Sequence, residues 1–380
     1  MIMKKKILIS TALSGFLKVF LDKDVRVLQS MGFEVHFASN NSIDGEKYIP
    51  YFDSMGIVFH QVDFSSNKPL SRNTLHCLRQ FADILKQDEF YAVHIHTPIP
   101  GVIGRIAANR YRRKGMIVLY TTHGFYFHNK SSLKTKLIYK TVEYLMSAMT
   151  DALITINRED YIAAKKMLCK NVYRVPGMGV DIRKFRDAEI DRKAYRESLG
   201  ISNNAFVILT VGELTKRKNH RIIIEALGEC NIHEAVFVIC GEALTDDDTR
   251  QQLINLAFER NVDLRLLGHR TDIPEICKCA DIGVLPSLRE GLGLAGIEML
   301  ASGIPVVASD LHGIVDYVLD GYNGFLADPL NCHDFADKIK KLYNPEIRNA
   351  LTRNCSSSVE QFDIEKSKES IEKIYREMLI

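Results

Sequence analysis

Short apolar runs alternate with longer amphipathic stretches along the whole chain, and this alternation limits the fold more than any other feature. Seven runs precede residue 180 and six follow it, from Lys5–Ser10 to Gly324–Leu326. They are nearly continuous in Val, Ile, Leu and Phe, as strands buried on both faces of a parallel sheet require. Thirteen strands exceed what one twisted open sheet usually holds. The sequence therefore predicts an α/β protein with two doubly wound parallel sheets, built from right-handed βαβ units.

The domain boundary is expected at Pro176–Asp181, where a proline and two glycines interrupt the pattern. We predict one Rossmann-like domain over residues 1–180 and a second over residues 181–362. The final residues, 363–380, include the helical pattern Ile364–Leu379, which we expect to cross back to the first domain. Ligands of such sheets bind outside the carboxyl ends of the strands, so the loops after strands are where a site is expected.

Charge and composition exclude several classes of protein. A net charge of +3 at pH 7 gives no overall field that would draw the chain to nucleic acid. There is no apolar run of 18 or more residues, and the start is too short for a signal peptide. We therefore predict a cytoplasmic protein. The basic amphipathic stretch Lys130–Met149 has an apolar stripe that includes Ile138 and Leu145, with Lys136 and Lys140 on the opposite side. It suits either packing on the domain or peripheral contact with anionic lipid.

The segment from Asp281 to Asp310 carries the most chemical information. A strand ends near Leu285, a loop follows, and a helix is predicted to begin around Leu294. Gly291 and Gly293 allow backbone N–H groups to approach a ligand, and the helix N-terminus behind them favours negative charge. Glu290 and Glu298, separated by seven residues, suit hydrogen bonds from sugar hydroxyls rather than phosphate. A diphosphate between two hydroxyl-bearing rings describes a nucleotide-sugar.

The glycines of this segment also fit a second class of binding site. Gly291, Gly293 and Gly296 fit the G-x-G-x-x-G pattern of dinucleotide-binding proteins, and Asp310 ends the next strand. An NAD(P)-dependent oxidoreductase is therefore an alternative. Against it, the first glycine does not follow the strand directly, and an acid at Glu290 would repel a pyrophosphate.

A cluster of cations follows the first strand of the second half, in the segment Gly212–His220. Lys216, Arg217 and Lys218 stand directly before a predicted helix. Cations at the carboxyl end of a strand complement a diphosphate leaving group, although a solvated basic loop has the same composition. Because the cluster shares a half with Glu290, we assign Lys218 to the phosphate site.

Histidines and small residues follow strands of the first half. His123, after a strand and before a glycine, is predicted to face the ligand and to act on a hydroxyl or sugar oxygen. We expect His94 and His96, on one strand, to point to opposite faces, which argues against a metal pair and leaves His96 as the site candidate. Ser14 and Gly15 form a small-residue loop past which an acceptor could move.

Several motifs occur in a fixed order between residues 96 and 326. They are His96-Thr97-Pro98, Thr122-His123-Gly124, Val175–Asp181, Leu285–Glu298, Gly303–Ala308 and Gly321–Leu326. Together they resemble the retaining glycosyltransferases of family 4, above all bacterial enzymes of exopolysaccharide, capsule or O-antigen assembly. The resemblance implies the GT-B fold, with two facing Rossmann-like domains and a cleft between them. It also implies that the first domain binds the acceptor and the second binds the nucleotide-sugar.

The resemblance assigns roles residue by residue. Glu290 would bind the transferred sugar, Glu298 the ribose, and Lys218 the phosphate. The donor-binding set is Gly212, Arg217, Lys218, Glu290, Gly291, Gly293, Leu294, Ala295 and Glu298. The catalytic set is Glu290, His123 and Lys218. The acceptor-side set is Ser14, Gly15, His96 and His123.

One position departs from the family pattern. Glu213 stands where many members carry an arginine, so Arg217 or Lys216 is the candidate substitute. The implied reaction moves a hexose or N-acetylhexosamine from a nucleotide-diphosphate sugar, UDP-linked by preference, to a saccharide or polyprenyl-diphosphate-linked acceptor with retention. No cofactor and no metal are expected, and Asp246–Asp248 are interpreted as helix N-terminal acids. A non-catalytic protein that binds nucleotide-sugars remains an alternative.

Overall fold

A computed structural model describes residues 5–42, 46–64, 72–230, 232, 234–243 and 248–380. The chain divides into two compact units, Met1–Met178 joined by Glu365–Ile380, and Gly179–Ile364. Each unit contains one parallel sheet, with seven strands in the first and six in the second. The prediction of an α/β protein with two doubly wound sheets is confirmed.

The first unit holds seven strands in a single sheet. They are β1 (Lys6–Leu13), β2 (Glu34–Asn40), β3 (Val58–Gln61), β4 (Phe90–His96), β5 (Ile117–Thr122), β6 (Ala152–Thr155) and β7 (Asn171–Arg174). Its first six helices are α1 (Asp22–Ser30), α2 (Ile49–Ser54), α3 (Arg72–Gln87), α4 (Pro98–Arg112), α5 (Leu133–Ser147) and α6 (Arg158–Ala164). The strand order is β3-β2-β1-β4-β5-β6-β7, so the direction of winding reverses between β1 and β4. That reversal opens a crevice at the carboxyl ends of these strands.

The second unit repeats this plan with six strands. They are β8 (Phe206–Val211), β9 (Ala235–Cys240), β10 (Asp263–Gly268), β11 (Ile282–Leu285), β12 (Val306–Ser309) and β13 (Gly324–Ala327). The helices are α7 (Ile182–Arg186), α8 (Arg192–Ser198), α9 (His220–Cys230), α10 (Thr249–Glu259), α11 (Ile273–Cys279), α12 (Leu294–Ala301), α13 (Cys332–Tyr343) and α14 (Pro345–Ser358). The order β10-β9-β8-β11-β12-β13 reverses between β8 and β11. The loops after these two strands contain the basic cluster and Glu290, and Glu298 lies in α12, the helix that follows the second loop.

Burial explains the apolar runs. Strands β6, β11 and β12 are buried along their whole length, because helices cover both faces of each sheet. The last helix, α15 (Ile364–Leu379), belongs to the first unit except for its first residue. It buries five side chains there, Ser367, Ile371, Ile374, Tyr375 and Leu379.

The helices given above lie in the described part of the chain, which omits residues 1–4, 43–45, 65–71, 231, 233 and 244–247. Within that part, each helix is either too short or too polar to cross a bilayer.

Candidate active site

The loop between β11 and α12 has the geometry expected of an anion site. Helix α12 begins at Leu294, as predicted, and Gly293 precedes it with φ at 79°, in the left-handed region that favours glycine. In the first helical turn the N–H of Gly296 donates to the carbonyl of Gly293 at 3.0 Å, and the helix N-terminus favours negative charge. Diphosphate binding by Gly291, Gly293, Leu294 and Ala295 stays a prediction.

Glu290 is buried beside two cations. It is 9% exposed, and its Oε1 accepts hydrogen bonds from Lys218 Nζ at 2.6 Å and Arg217 Nη1 at 3.1 Å. The hydroxyl of Ser287 donates to the same oxygen at 3.1 Å. Burial alone would raise the pKa of Glu290, but Lys218 and Arg217 lower it below its usual value. Glu290 is therefore a carboxylate at neutral pH.

Hydrogen bonds join the loop after β8 to the loop after β11. The backbone N–H of Leu288 donates to the carbonyl of Arg217 at 2.8 Å. Lys218 passes over Gly212, where a Cβ would lie 3.0 Å from Lys218 Cε. The two loops at the reversal point of the second sheet thus hold both cations against Glu290.

Arg217 contacts Glu290, the residue predicted to bind the transferred sugar. Its guanidinium contacts Glu290 as described and lies 3.8 Å from Glu213 Oε2, whereas Lys216 is exposed. The geometry thus favours Arg217 as the second cation beside Lys218.

The carboxyl group of Glu298 differs from that of Glu290 in its ionisation. Glu298 is half-buried on α12, and burial raises its pKa to about 7, although Lys184 and Lys218 oppose the shift. Without a bound ligand, Glu298 is therefore only partly ionised near neutral pH.

The histidines of the first unit form one cluster, and one expectation about them is wrong. His94 and His96 do not point to opposite faces, because residues two apart in a strand share a face, and their ring centroids are 4.1 Å apart. His94 pairs with Tyr375 Oη through Nδ1 and with Thr121 Oγ1 through Nε2, each at 2.8 Å. Both of its nitrogens are therefore engaged. His96 Nδ1 pairs with His123 Nε2 at 3.1 Å, so these two predicted site residues are in contact.

All three histidines are neutral at neutral pH. Burial lowers the pKa of His94 and of His123 to about 3, and it lowers the pKa of His96 well below 6.5. His123 is therefore suited to hydrogen bonding with a sugar hydroxyl rather than to stabilising an anion by charge.

The remaining predicted acceptor-side residues are buried. Ser14 is fully covered, and the Tyr48 ring covers Gly15 so closely that a Cβ there would lie 2.7 Å from Tyr48 Cε2. Their part in acceptor binding stays a prediction.

Two of the three consecutive aspartates, Asp246 and Asp247, lie outside the described residues, and Asp248 directly precedes α10. Within the described ranges, Glu229, Cys332 and His333 place metal-ligating atoms within 4.8 Å of one another. His333 Nδ1 pairs with Glu229 Oε2 at 2.7 Å, which accounts for their closeness. The expectation that no metal is needed stays a prediction.

Sequence reasoning missed two residues of the site. Ser287 lies three residues before Glu290 in the same motif, so this short spacing could have indicated that its hydroxyl contacts Glu290. Tyr317 contacts the start of α12 from a later segment, and no spacing in the sequence marks it.

Two doubly wound parallel-sheet units, with Glu290, Lys218 and Arg217 beside the start of α12 at the reversal point of the second, fit the GT-B class of glycosyltransferases. Comparison with known proteins gives the family. The model described as "Glycosyl transferases group 1" matches residues 191–358, and "Glycosyltransferase Family 4" matches residues 25–175. This chain belongs to glycosyltransferase family 4.

Individual relatives agree with this assignment. The chain is 33% identical over 379 residues to EpsD of Bacillus subtilis, named as a candidate glycosyltransferase, covering 98% of this chain and 97% of EpsD. It is 33% identical over 311 residues to the UDP-Gal:alpha-D-GlcNAc-diphosphoundecaprenol alpha-1,3-galactosyltransferase of Escherichia coli, covering 78% of each. Anabaena Alr3699/HepE in complex with UDP-glucose superposes with a TM-score of 0.79 at 19% identity, over 98% of this chain and 99% of that one. Family membership disfavours the oxidoreductase alternative.

Proposed function

We propose that this chain transfers a hexose or N-acetylhexosamine from a UDP-sugar to a saccharide carried on polyprenyl diphosphate, in the synthesis of a cell-surface polysaccharide. The Escherichia coli relative is named for a UDP-linked donor and a diphosphoundecaprenol acceptor, and HepE was crystallised with UDP-glucose. These names support the donor and acceptor classes proposed here.

The contact of Glu290 with Lys218 and Arg217, at the start of α12, carries the proposal. A diphosphate at the helix N-terminus would meet main-chain N–H groups and both cations. Those fixed positive groups would stabilise the charge that develops on the departing diphosphate. Glu290, held as a carboxylate, would then lie beside the transferred sugar.

We propose that the transfer proceeds with retention, the outcome that membership of glycosyltransferase family 4 implies. Glu290 is the one carboxylate among the residues assigned to the sugar, which argues against the double displacement of retaining hydrolases, because that mechanism uses two carboxyl groups. His123, kept neutral by burial, would hydrogen-bond a sugar hydroxyl. We propose transfer on the face from which the diphosphate leaves.

We further propose that no divalent metal takes part, since Lys218, Arg217 and the helix N-terminus would supply the positive charge. Activity should persist in excess EDTA. Loss of activity that magnesium restores would contradict this part of the proposal.

The test of function is nucleotide release from a panel of UDP- and GDP-sugars, with and without a polyprenyl-diphosphate-linked acceptor. Glu290→Gln should lower kcat by about 10²–10³-fold with the fold intact. Glu225→Gln, which loses a surface ion pair with Arg221, is the matched control and should keep full activity. Donor binding without turnover in the native protein would instead favour a non-catalytic sugar-nucleotide-binding protein.

We propose peripheral attachment to the inner face of the cell membrane, with the rest of the protein in the cytoplasm. Helix α5 exposes Leu133 at 84% and Leu137 at 72%. Lys134 and Lys140 are exposed on the same helix. Exposed apolar residues beside lysines suit an anionic lipid surface, where a lipid-linked acceptor would be found.

A further inference from the structure

A buried phenol lies beneath the start of helix α12. Tyr317 is 1% exposed and follows a 3₁₀ turn, His312–Asp316. Its hydroxyl donates a hydrogen bond to the carbonyl oxygen of Gly293 at 3.0 Å. The same oxygen accepts the N–H of Gly296 at 3.0 Å, so it has two donors.

Two glycines make room for this phenol. A Cβ at Gly296 would overlap Tyr317 Oη and would lie 2.8 Å from Cε2 and 2.9 Å from Cζ. A Cβ at Gly293 would lie 3.2 Å from the same Oη. The ring is therefore wedged against the first turn of the helix, where any larger residue would displace it.

The rest of Tyr317 is anchored to the unit. Its backbone carbonyl accepts a hydrogen bond from Asn323 Nδ2 at 2.8 Å, and Asn323 is fully buried. Its ring meets Phe362 edge-on, with centroids 5.9 Å apart. Burial, with added repulsion from Glu290 and Glu298, raises the pKa of the phenol well above its usual value, so the hydroxyl keeps its proton.

The hydrogen bond also fixes the direction of a neighbouring donor. The carbonyl of Gly293 and the N–H of Leu294 belong to one planar trans peptide and point in opposite directions. Because the carbonyl points at Tyr317, the N–H of Leu294 points away from it, toward the side on which the diphosphate would bind.

We propose that Tyr317 is a positioning residue for the donor: it sets the Gly293–Leu294 peptide so that the N–H of Leu294 is aimed at the diphosphate of a bound nucleotide-sugar. This inference rests on the proposed function. Tyr317 itself does not touch the sugar or the reacting atoms.

The test is Tyr317→Phe, which removes the hydroxyl and keeps the ring. The KM for UDP-sugar and the Kd for UDP should rise about fivefold, the size of one neutral hydrogen bond, while kcat changes less than twofold. Tyr322→Phe, at an exposed tyrosine in the same segment, should change neither constant.

A second variant approaches the same contact from the helix. Gly296→Ala should displace the phenol and weaken donor binding, and combining it with Tyr317→Phe should cost less than the product of the two single effects. If Tyr317→Phe does not fold, the donor KM and Kd of Gly296→Ala alone test the role of Tyr317.

The outcomes separate the two proposals. Suppose that the native protein binds UDP and that the folded Tyr317→Phe and Gly296→Ala variants keep its donor KM and Kd. This result would overturn the role of Tyr317 and leave the proposed function standing. Native protein that neither binds UDP nor releases nucleotide from any sugar of the panel would overturn both.

Discussion

Burial and neighbouring charge together decide the ionisation of the two glutamates predicted to bind the donor. Both lose solvent on or near α12, which favours the protonated acid. Lys218 and Arg217 reverse that preference for Glu290 through direct contact, and its pKa is lowered. Lys184 and Lys218 lower the pKa of Glu298, but burial has the larger effect and raises this pKa to about 7. The carboxyl groups of Glu290 and Glu298 therefore ionise over different pH ranges.

Donor affinity should therefore depend on pH through Glu298. A carboxylate accepts hydrogen bonds from both ribose hydroxyls, and the ionised fraction grows as pH rises through about 7. The Kd for UDP-glucose should fall about tenfold between pH 6 and pH 8, measured by calorimetry. UDP-glucose is the suitable ligand, since its diphosphate does not titrate in this range.

Glu298→Gln should bind more weakly than native protein at pH 8 and show a flat pH profile. A profile in the variant that matches the native one would mean that another group titrates, and Glu298 would not be the ribose ligand.

Helix α5 shows that an element can be predicted correctly while its orientation is not. The sequence predicts a helix over Lys130–Met149 with Ile138 and Leu145 on an apolar stripe, and the helix is present at Leu133–Ser147. Ile138 and Leu145 are nevertheless 48% and 55% exposed. The buried face instead carries Glu143, which pairs with the fully buried Arg105 at 2.9 Å. A buried arginine requires a partner, and that requirement decides which side of the helix faces inward.

The exposed leucines of α5 should matter for lipid binding and little for stability. Leu133→Ser combined with Leu137→Ser should reduce co-sedimentation with phosphatidylglycerol vesicles, since each leucine contributes about 1.5–3 kcal/mol when buried in an apolar phase. The thermal midpoint should stay nearly unchanged, because surface substitutions usually alter stability by less than about 0.5 kcal/mol.

Leu330→Ser is the matched control, as Leu330 is 82% exposed in the second unit. Equal vesicle binding by the native protein and the α5 double variant would show that this helix is not the lipid contact.

On the scale of the whole molecule, the first unit is assembled from both ends of the chain. Residues 365–380 return to it after the complete second unit. Ile371, Ile374 and Leu379 of α15 are buried there, and Tyr375 reaches His94. The histidine cluster, which includes the predicted site residues His96 and His123, therefore depends on residues 365–380.

A chain truncated after Asp363 should lose the stability of its first unit. Removing three buried aliphatic side chains and one tyrosine forfeits several kcal/mol, comparable with the whole stability of a domain. Calorimetry should show one unfolding transition strongly lowered and the other retained.

Tyr375→Phe separates packing from hydrogen bonding in the same helix. It keeps the ring and loses the contact with His94, so it should cost only about 1 kcal/mol. A truncated chain that unfolds like the full-length protein would contradict the structural role of α15.

The sequence by itself determined the two doubly wound sheets and the loops that carry Glu290, Lys218 and Gly293. Strand and helix periodicities are local, and the rule that ligands bind at the carboxyl ends of parallel strands needs only the order of elements. Only the tertiary structure decided that Arg217 joins Lys218 at Glu290, that His96 meets His123, and that Tyr317 supports Gly293. These contacts join residues from different elements, and both the contacts and the pKa shifts that follow depend on how those elements pack.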